Sequence, residues 1–210
     1  MGTTPIYALR YPEPADLADV PTDMHELATD VEAALGGKGA APGYGTTLPA
    51  SPVDGQEAIL VDSTTNPTYQ WRFRYNSGSS SSYKWEFVGG ASARSSVDAF
   101  EGTSSTSYAD LATVGPQLTI PRSGDYHVRW GAIMQASGAG LTAAMAIPNL
   151  GLSFRELTVI VTLGMQVALW GEFPFAALTA GTVAKCQYKT SAGTALFVER
   201  SLYLTPVRVA

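Results

Sequence analysis

The stretch Tyr69-Gln70-Trp71-Arg72-Phe73-Arg74-Tyr75 alternates aromatic and polar side chains without a break. Period two puts the two sets on opposite faces of an extended strand, and aromatic residues suit that pleated surface. After the polar turn 76–82, Tyr83-Lys84-Trp85-Glu86-Phe87 repeats the pattern. Two such runs joined by a short polar loop predict a hairpin. Residues 56–62 read as a strand ahead of it, which makes a three-stranded antiparallel meander, and Gly89-Gly90 ends it. The row Tyr69, Trp71, Tyr83 and Trp85 has two readings. It is the core of this small sheet, with Arg72, Arg74, Lys84 and Glu86 on the solvated face. Alternatively, it is a platform on which the sugar rings of a cell-surface glycan stack.

Downstream the pattern shifts to many short strands. They are expected at 108–114, 117–120, 124–135, 141–146, 157–163, 165–173, 182–190, 195–199 and 201–209. Breakers separate them: Gly115-Pro116, Pro121-Arg122-Ser123-Gly124, Ser137-Gly138, Pro148-Asn149, Ala180-Gly181 and Ala192-Gly193. Short strands punctuated in this way predict an antiparallel jelly-roll β-sandwich.

Upstream lies a different kind of segment. Leu17, Val20, Met24, Leu27, Val31 and Ala34 follow one another at spacings of 3, 4, 3, 4 and 3. That is the apolar seam of a helix that pairs with copies of itself. Pro21 suits a helix entrance, Asp23 and Glu26 have capping-box spacing, and Gly36-Gly37 suits the exit. The helix is expected to begin near Thr22 or Asp23. An isolated helix of this length is marginal in water. Burial of each apolar seam residue, worth roughly 1.5–3 kcal/mol, supplies what propensity lacks. The burying surface is either sister chains or the chain's own β region. Pro5, Pro12 and Pro14 keep residues 1–20 extended. This arm is either a free tail or a strap along a neighbouring subunit, anchored by Ile6, Tyr7, Leu9 and Tyr11.

The fold class expected is therefore mainly β. An arm and oligomerisation helix (1–36) precede a linker (37–52), the meander (53–90), a second linker (91–98) and the jelly-roll head (99–210).

Composition narrows the function. The 210 residues are 45% hydrophobic but only 15% charged, below the usual quarter. Gly, Ser and Thr supply the polar surface, as in β assemblies with large subunit interfaces. The net charge of −5 resides in residues 1–40, which hold seven acidic against two basic side chains. No basic patch remains to gather phosphates, so nucleic acid is not an expected partner. The opening MGTTPIYALRYPEP lacks a basic n-region and an apolar h-region, so no signal peptide is expected. The longest apolar stretch, 157–170, is too short to span a bilayer, so no membrane insertion is expected. The single cysteine, Cys186, permits no intrachain disulfide and reads as a small core residue.

Catalytic signals are sparse. His25 and His127 have no partner at metal-ligand spacing. No G-x-S-x-G elbow occurs. Glu156, Glu172 and Glu199 are the carboxylates available for glycosidase-type pairing, and isolated carboxylates at strand ends are usually solvated. No catalytic residue, metal or cofactor is expected.

Two resemblances add to this. Leu118-Thr119-Ile120-Pro121 with Ser123-Gly124-Asp125-Tyr126-His127-Val128, Leu178-Thr179-Ala180-Gly181-Thr182-Val183 before Cys186-Gln187-Tyr188, and the closing run 202–209 resemble the trimeric jelly-roll heads of the C1q and tumour-necrosis-factor type. The first half is similar to actinobacteriophage virion proteins of the minor tail and fibre-like kind. That likeness rests on Tyr11-Pro12-Glu13-Pro14, Ala18-Asp19-Val20-Pro21, the module 48–57 and Tyr83-Lys84-Trp85-Glu86-Phe87-Val88-Gly89-Gly90. The resemblances imply a homotrimeric, non-enzymatic component of the virion surface, assembled in the host cytoplasm. Its N-terminal arm would join other virion proteins, and its head would contact the host. A capsid decoration protein and a carbohydrate-binding or carbohydrate-active protein are the alternatives.

Overall fold

Alternating runs become strands where a partner strand completes their hydrogen bonds, and one long strand supplies most of those partners here. The computed structural model describes residues 2–4, 9–11, 13, 19–36, 41–138, 140–151 and 155–210. Half of the chain is strand and 9% is helix, so the class is mainly β. The N-terminal part contains the antiparallel pair β1 (Gly2–Thr3) and β2 (Arg10–Tyr11), then α1 (Val20–Gly36). The middle contains β3 (Gly43–Gly45), β4 (Glu57–Val61), β5 (Gln70–Tyr75), β6 (Trp85–Gly89), β7 (Ala93–Val97) and β8 (Glu101–Thr103). Then follow β9 (Gln117–Thr119), β10 (Gly124–Ala136), β11 (Leu141–Ala146) and β12 (Leu157–Val161). The last four are β13 (Gln166–Leu178), β14 (Val183–Lys185), β15 (Gln187–Thr190) and β16 (Ala195–Val209).

The main sheet runs β13-β10-β16-β6-β5-β4-β3, with β7 and β8 also paired to β16. A facing layer is made by β12-β11-β15 and the pair β14-β9. Val128, Trp130 and Met134 of β10 and Phe197, Leu202 and Leu204 of β16 point into the sandwich. Ala143, Met145, Leu157, Val161 and Tyr188 meet them from the other layer. Tyr188 and Phe197 sit with ring centroids 4.7 Å apart across the core.

The runs 195–199 and 201–209 are one strand interrupted by a bulge. Glu199 takes φ 52, and the pairing with β10 shifts between Gly131 and Ile133. Before the bulge Ala195 and Phe197 face inward; after it Arg200, Leu202 and Leu204 do. The extra residue swaps the parity of the strand, and the sequence therefore reads as two strands.

Four other expectations change. The linker 91–98 contains β7, whose residues pair with β16 from Ala93↔Leu204 to Val97↔Arg200. Its Ala-Arg-Ser-Ser-Val sequence has no apolar alternation, so the partner decides its conformation. The linker 37–52 contains β3, parallel to β4. Residues 108–114 form no strand; Ala109 makes a single bridge to Tyr188. The meander also continues into the head, because β6 pairs with β16 through Glu86↔Arg208 and Trp85↔Val209. The two share one core, in which Trp71 lies 6.4 Å from Tyr126.

Helix α1 starts earlier than its sequence suggests. Asp19 accepts from the Thr22 hydroxyl (2.8 Å) and the Thr22 N–H (3.4 Å), so Asp19 caps the helix. Pro21 then falls in the first turn, where its missing N–H costs nothing.

Candidate functional site

The apolar seam on α1 is open. Val20 is 66% exposed, Met24 63%, Leu27 39% and Val31 36%. Among the described residues, the shared core of the sheets includes none of α1. Leu17 lies outside the described residues, as do Ile6 and Tyr7, and nothing is described of the Ala34 side chain. A helix presenting this much apolar side chain to water lacks the burial that stabilises helices in proteins.

One residue of the arm fixes it to the helix. Arg10 donates from its backbone N–H (2.9 Å), Nε (2.9 Å) and Nη2 (3.0 Å) to the Asp30 carboxylate. Its Nη1 lies 3.0 Å from Glu26. The side-chain and backbone hydrogen bonds from Arg10 hold the Asp30 carboxyl below its usual value of 3.8. With the arm pinned there, Leu9 and Tyr11 join Val20, Met24 and Leu27 around an apolar groove of about 290 Å³. Thus the arm adds to the apolar surface of α1 while leaving its seam open.

The aromatic row is placed differently. Trp71 has no exposed surface, stacks on Tyr69 at 4.0 Å and donates from Nε1 to the Ala91 carbonyl at 2.9 Å. Trp85 is 4% exposed and packs edge-on against Tyr75 at 5.2 Å. Tyr69 and Tyr83 are half-buried. Burial, then the charge of Asp62, pushes the Tyr69 hydroxyl up to about 12, with Arg122 opposing. These rings form the hairpin's share of the core, and Trp71 has no face open to a sugar.

A second set of aromatic residues lies on the outer face of the main sheet. Arg94, Tyr203, Arg129 and Glu172 are register neighbours on β7, β16, β10 and β13. The Arg94 and Arg129 guanidinium carbons each lie 5.6 Å from the Tyr203 ring centroid, and that of Arg129 is 5.8 Å from the Trp170 ring. Trp170 lies over Gly131, where a Cβ would come within 2.4 Å of the indole and of the Leu169 carbonyl. Arg94, Asp98, Trp170, Ser201 and Tyr203 help line a shallow depression of about 450 Å³. Planar cations, carboxylates and ring edges on an open sheet face can hydrogen-bond and stack with a polyol. Sequence reading missed this row because its members come from four strands distant in sequence. Alternation along 166–173, which puts Trp170 and Glu172 on one face, was the available signal.

His127 Nδ1 is 3.1 Å from Glu172. Glu156 accepts from Thr158 (2.8 Å) and Lys189 (3.2 Å). Glu199 is exposed at the bulge. Cys186 is fully buried, and burial pushes its thiol above the ordinary value. Among the described residues, no group of three His, Cys, Asp or Glu is placed to hold a metal, and no helix is long and apolar enough to cross a membrane.

Fold and site define a mainly β sandwich protein with an exposed apolar helix. No family model matches the chain, and no curated protein matches it. Similar solved structures include a carbohydrate-binding module, CBM6cm-2, from Cellvibrio mixtus lichenase 5A in complex with cellotriose. The identity is 12%, covering 74% of this chain and 89% of that one, with a TM-score of 0.24. Another is the infectious bursal disease virus VP2 subviral particle, at 12% identity, 66% and 43% coverage and a TM-score of 0.29. This chain spans less than half of that capsid protein. Both likenesses are too loose to carry an argument about function, which rests on the residues above.

Proposed function

We propose that this chain is a non-enzymatic structural protein of a phage virion, minor tail or fibre-like, that assembles as a homotrimer through α1. The observation that carries the reading is the open seam of Val20, Met24, Leu27 and Val31. Such a stripe is stable in water when sister helices cover it. The N-terminal segment 1–36 joins the chain to its particle and sets three copies in register. The sandwich region 99–210 stands outward on the virion surface. Its weak charge and the aromatic–guanidinium row on its outer face support host-surface contact, where three copies give avidity to weak individual contacts.

Solution mass by light scattering at micromolar concentration tests this. A trimer is expected, and a stable monomer overturns the reading. Electron microscopy of particles carrying a tagged chain separates a tail position from the capsid shell, where the chain would be a decoration protein. Turnover of glycan substrates by the purified protein would overturn the non-enzymatic part.

A further inference from the structure

A groove of about 760 Å³ runs between the loop 47–52, the hairpin and the head. Its walls include Pro49, Pro52, Tyr75, Trp85 and Pro121, and its polar side chains include Ser82, Lys84, Arg122 and Ser123. None of the residues lining it is an aspartate or glutamate. The volume falls within the usual range of small-ligand sites and well above what a bare inorganic anion needs.

Its two cations are unmatched. Arg122 is half-buried, and among the described residues its guanidinium forms no ion pair and donates no hydrogen bond. Its Nε is fully buried without a partner. A buried donor left unpaired costs about 1–3 kcal/mol, and an orphan of this kind calls for an explanation. Lys84 donates only to the Ser79 carbonyl, so its charge is not neutralised either. Ala210 reaches the groove, with its N–H on the Ser123 carbonyl at 2.9 Å, and makes no ion pair with either cation.

We infer that this groove binds an acidic glycan: a sugar or polyol chain carrying a carboxylate or phosphate. The anionic group sits on Arg122 and Lys84, where a guanidinium can donate two parallel hydrogen bonds to two oxygens of one group. The Tyr75 ring and the prolines receive the C–H faces of the sugar, and the serine hydroxyls meet its hydroxyls. The inference is independent of self-association, since every lining residue named belongs to one chain.

The test is calorimetric titration of the full chain with three oligomers of equal length: a hexuronate, a glycerol phosphate and a neutral hexose. Binding of either acidic oligomer and not of the neutral one is expected, and the acidic oligomer that binds identifies carboxylate or phosphate as the source. Arg122→Met should weaken that binding at least tenfold, and Arg122→Lys should restore part of it. Should Arg122→Met fail to fold, Lys84→Met serves as the second variant, with a smaller loss expected. Failure of both acidic oligomers to bind overturns the inference. So does equal binding of the neutral one, or acidic binding unchanged in the variant that folds.

Discussion

Arg200 has no solvent-exposed surface, and its Nη2 meets Glu101 Oε2 at 2.9 Å. The pair joins β16 to the residue that opens β8. Glu101 also accepts from the Thr113 N–H (3.0 Å) and hydroxyl (2.5 Å), and Arg200 Nη1 donates to the Thr113 carbonyl at 3.3 Å. A buried charge thereby fixes the long loop between β8 and β9 against the sandwich.

Glu101→Ala should strand that guanidinium. Breaking a buried pair from one side costs about 3–5 kcal/mol, so the urea midpoint should drop sharply at unchanged slope. The double replacement Arg200→Met with Glu101→Gln should recover much of the loss. Hydrogen bonding from Thr113, then the Arg200 charge, holds the Glu101 carboxyl below its usual 4.5 against opposing burial. The sign follows: its contribution is full above that value and is lost as pH falls through the lower folded value. Urea midpoints measured on both sides of that window check this.

Met24→Glu combined with Leu27→Glu should yield monomers. Charges on a sister-helix seam repel and remain hydrated, whereas the β core does not include these positions. Light scattering should show one-third of the parent mass, with the sheet's thermal transition retained. A trimer that survives both charges would show that the seam is not the interface.

Trp71→Ala should unfold or severely weaken the sandwich, since emptying a buried tryptophan site costs about 3–5 kcal/mol. Trp170→Ala, on the outer face, should leave the fold intact. Denaturation of both proteins provides the comparison. Glycan binding lost in Trp71→Ala therefore reports unfolding, whereas loss in Trp170→Ala reports contact.

Acidification should release the arm. The Asp30 carboxyl is held low by its hydrogen bonds from Arg10, so the clamp is intact above the usual 3.8 and opens as pH falls through the lower folded value. Limited digestion with an acid-active protease should then cut near Leu9 and Arg10. Asp30→Asn should expose the same residues at neutral pH, where a trypsin-type protease should then cut after Arg10.

The sequence showed strands wherever alternation is local. β4, β5, β10 and β11 lie close to their expected places, because aromatic or apolar residues recur at every second position. It was silent for β7 and β8, whose residues are small or polar and whose strand character comes from pairing with β16. The parity change at Glu199 hid the unity of β16, since period-two reading assumes no inserted residue. The seam on α1 was legible because helical spacing is local too. The outer-face row and the groove around Arg122 join residues from distant parts of the chain, and only topology brings them together.

Strand β16 pairs with β10, β6, β7 and β8, and among the described residues it follows all of them in chain order. Loop-closure entropy is lost before such distant pairings reward it. During synthesis the earlier strands therefore wait for residues 195–209, with their edges unsatisfied. A ribosome that stops short releases a polypeptide without its central partner, which would be a substrate for chaperones and proteases. Completion of the main sheet is thereby tied to the emergence of residues 195–209.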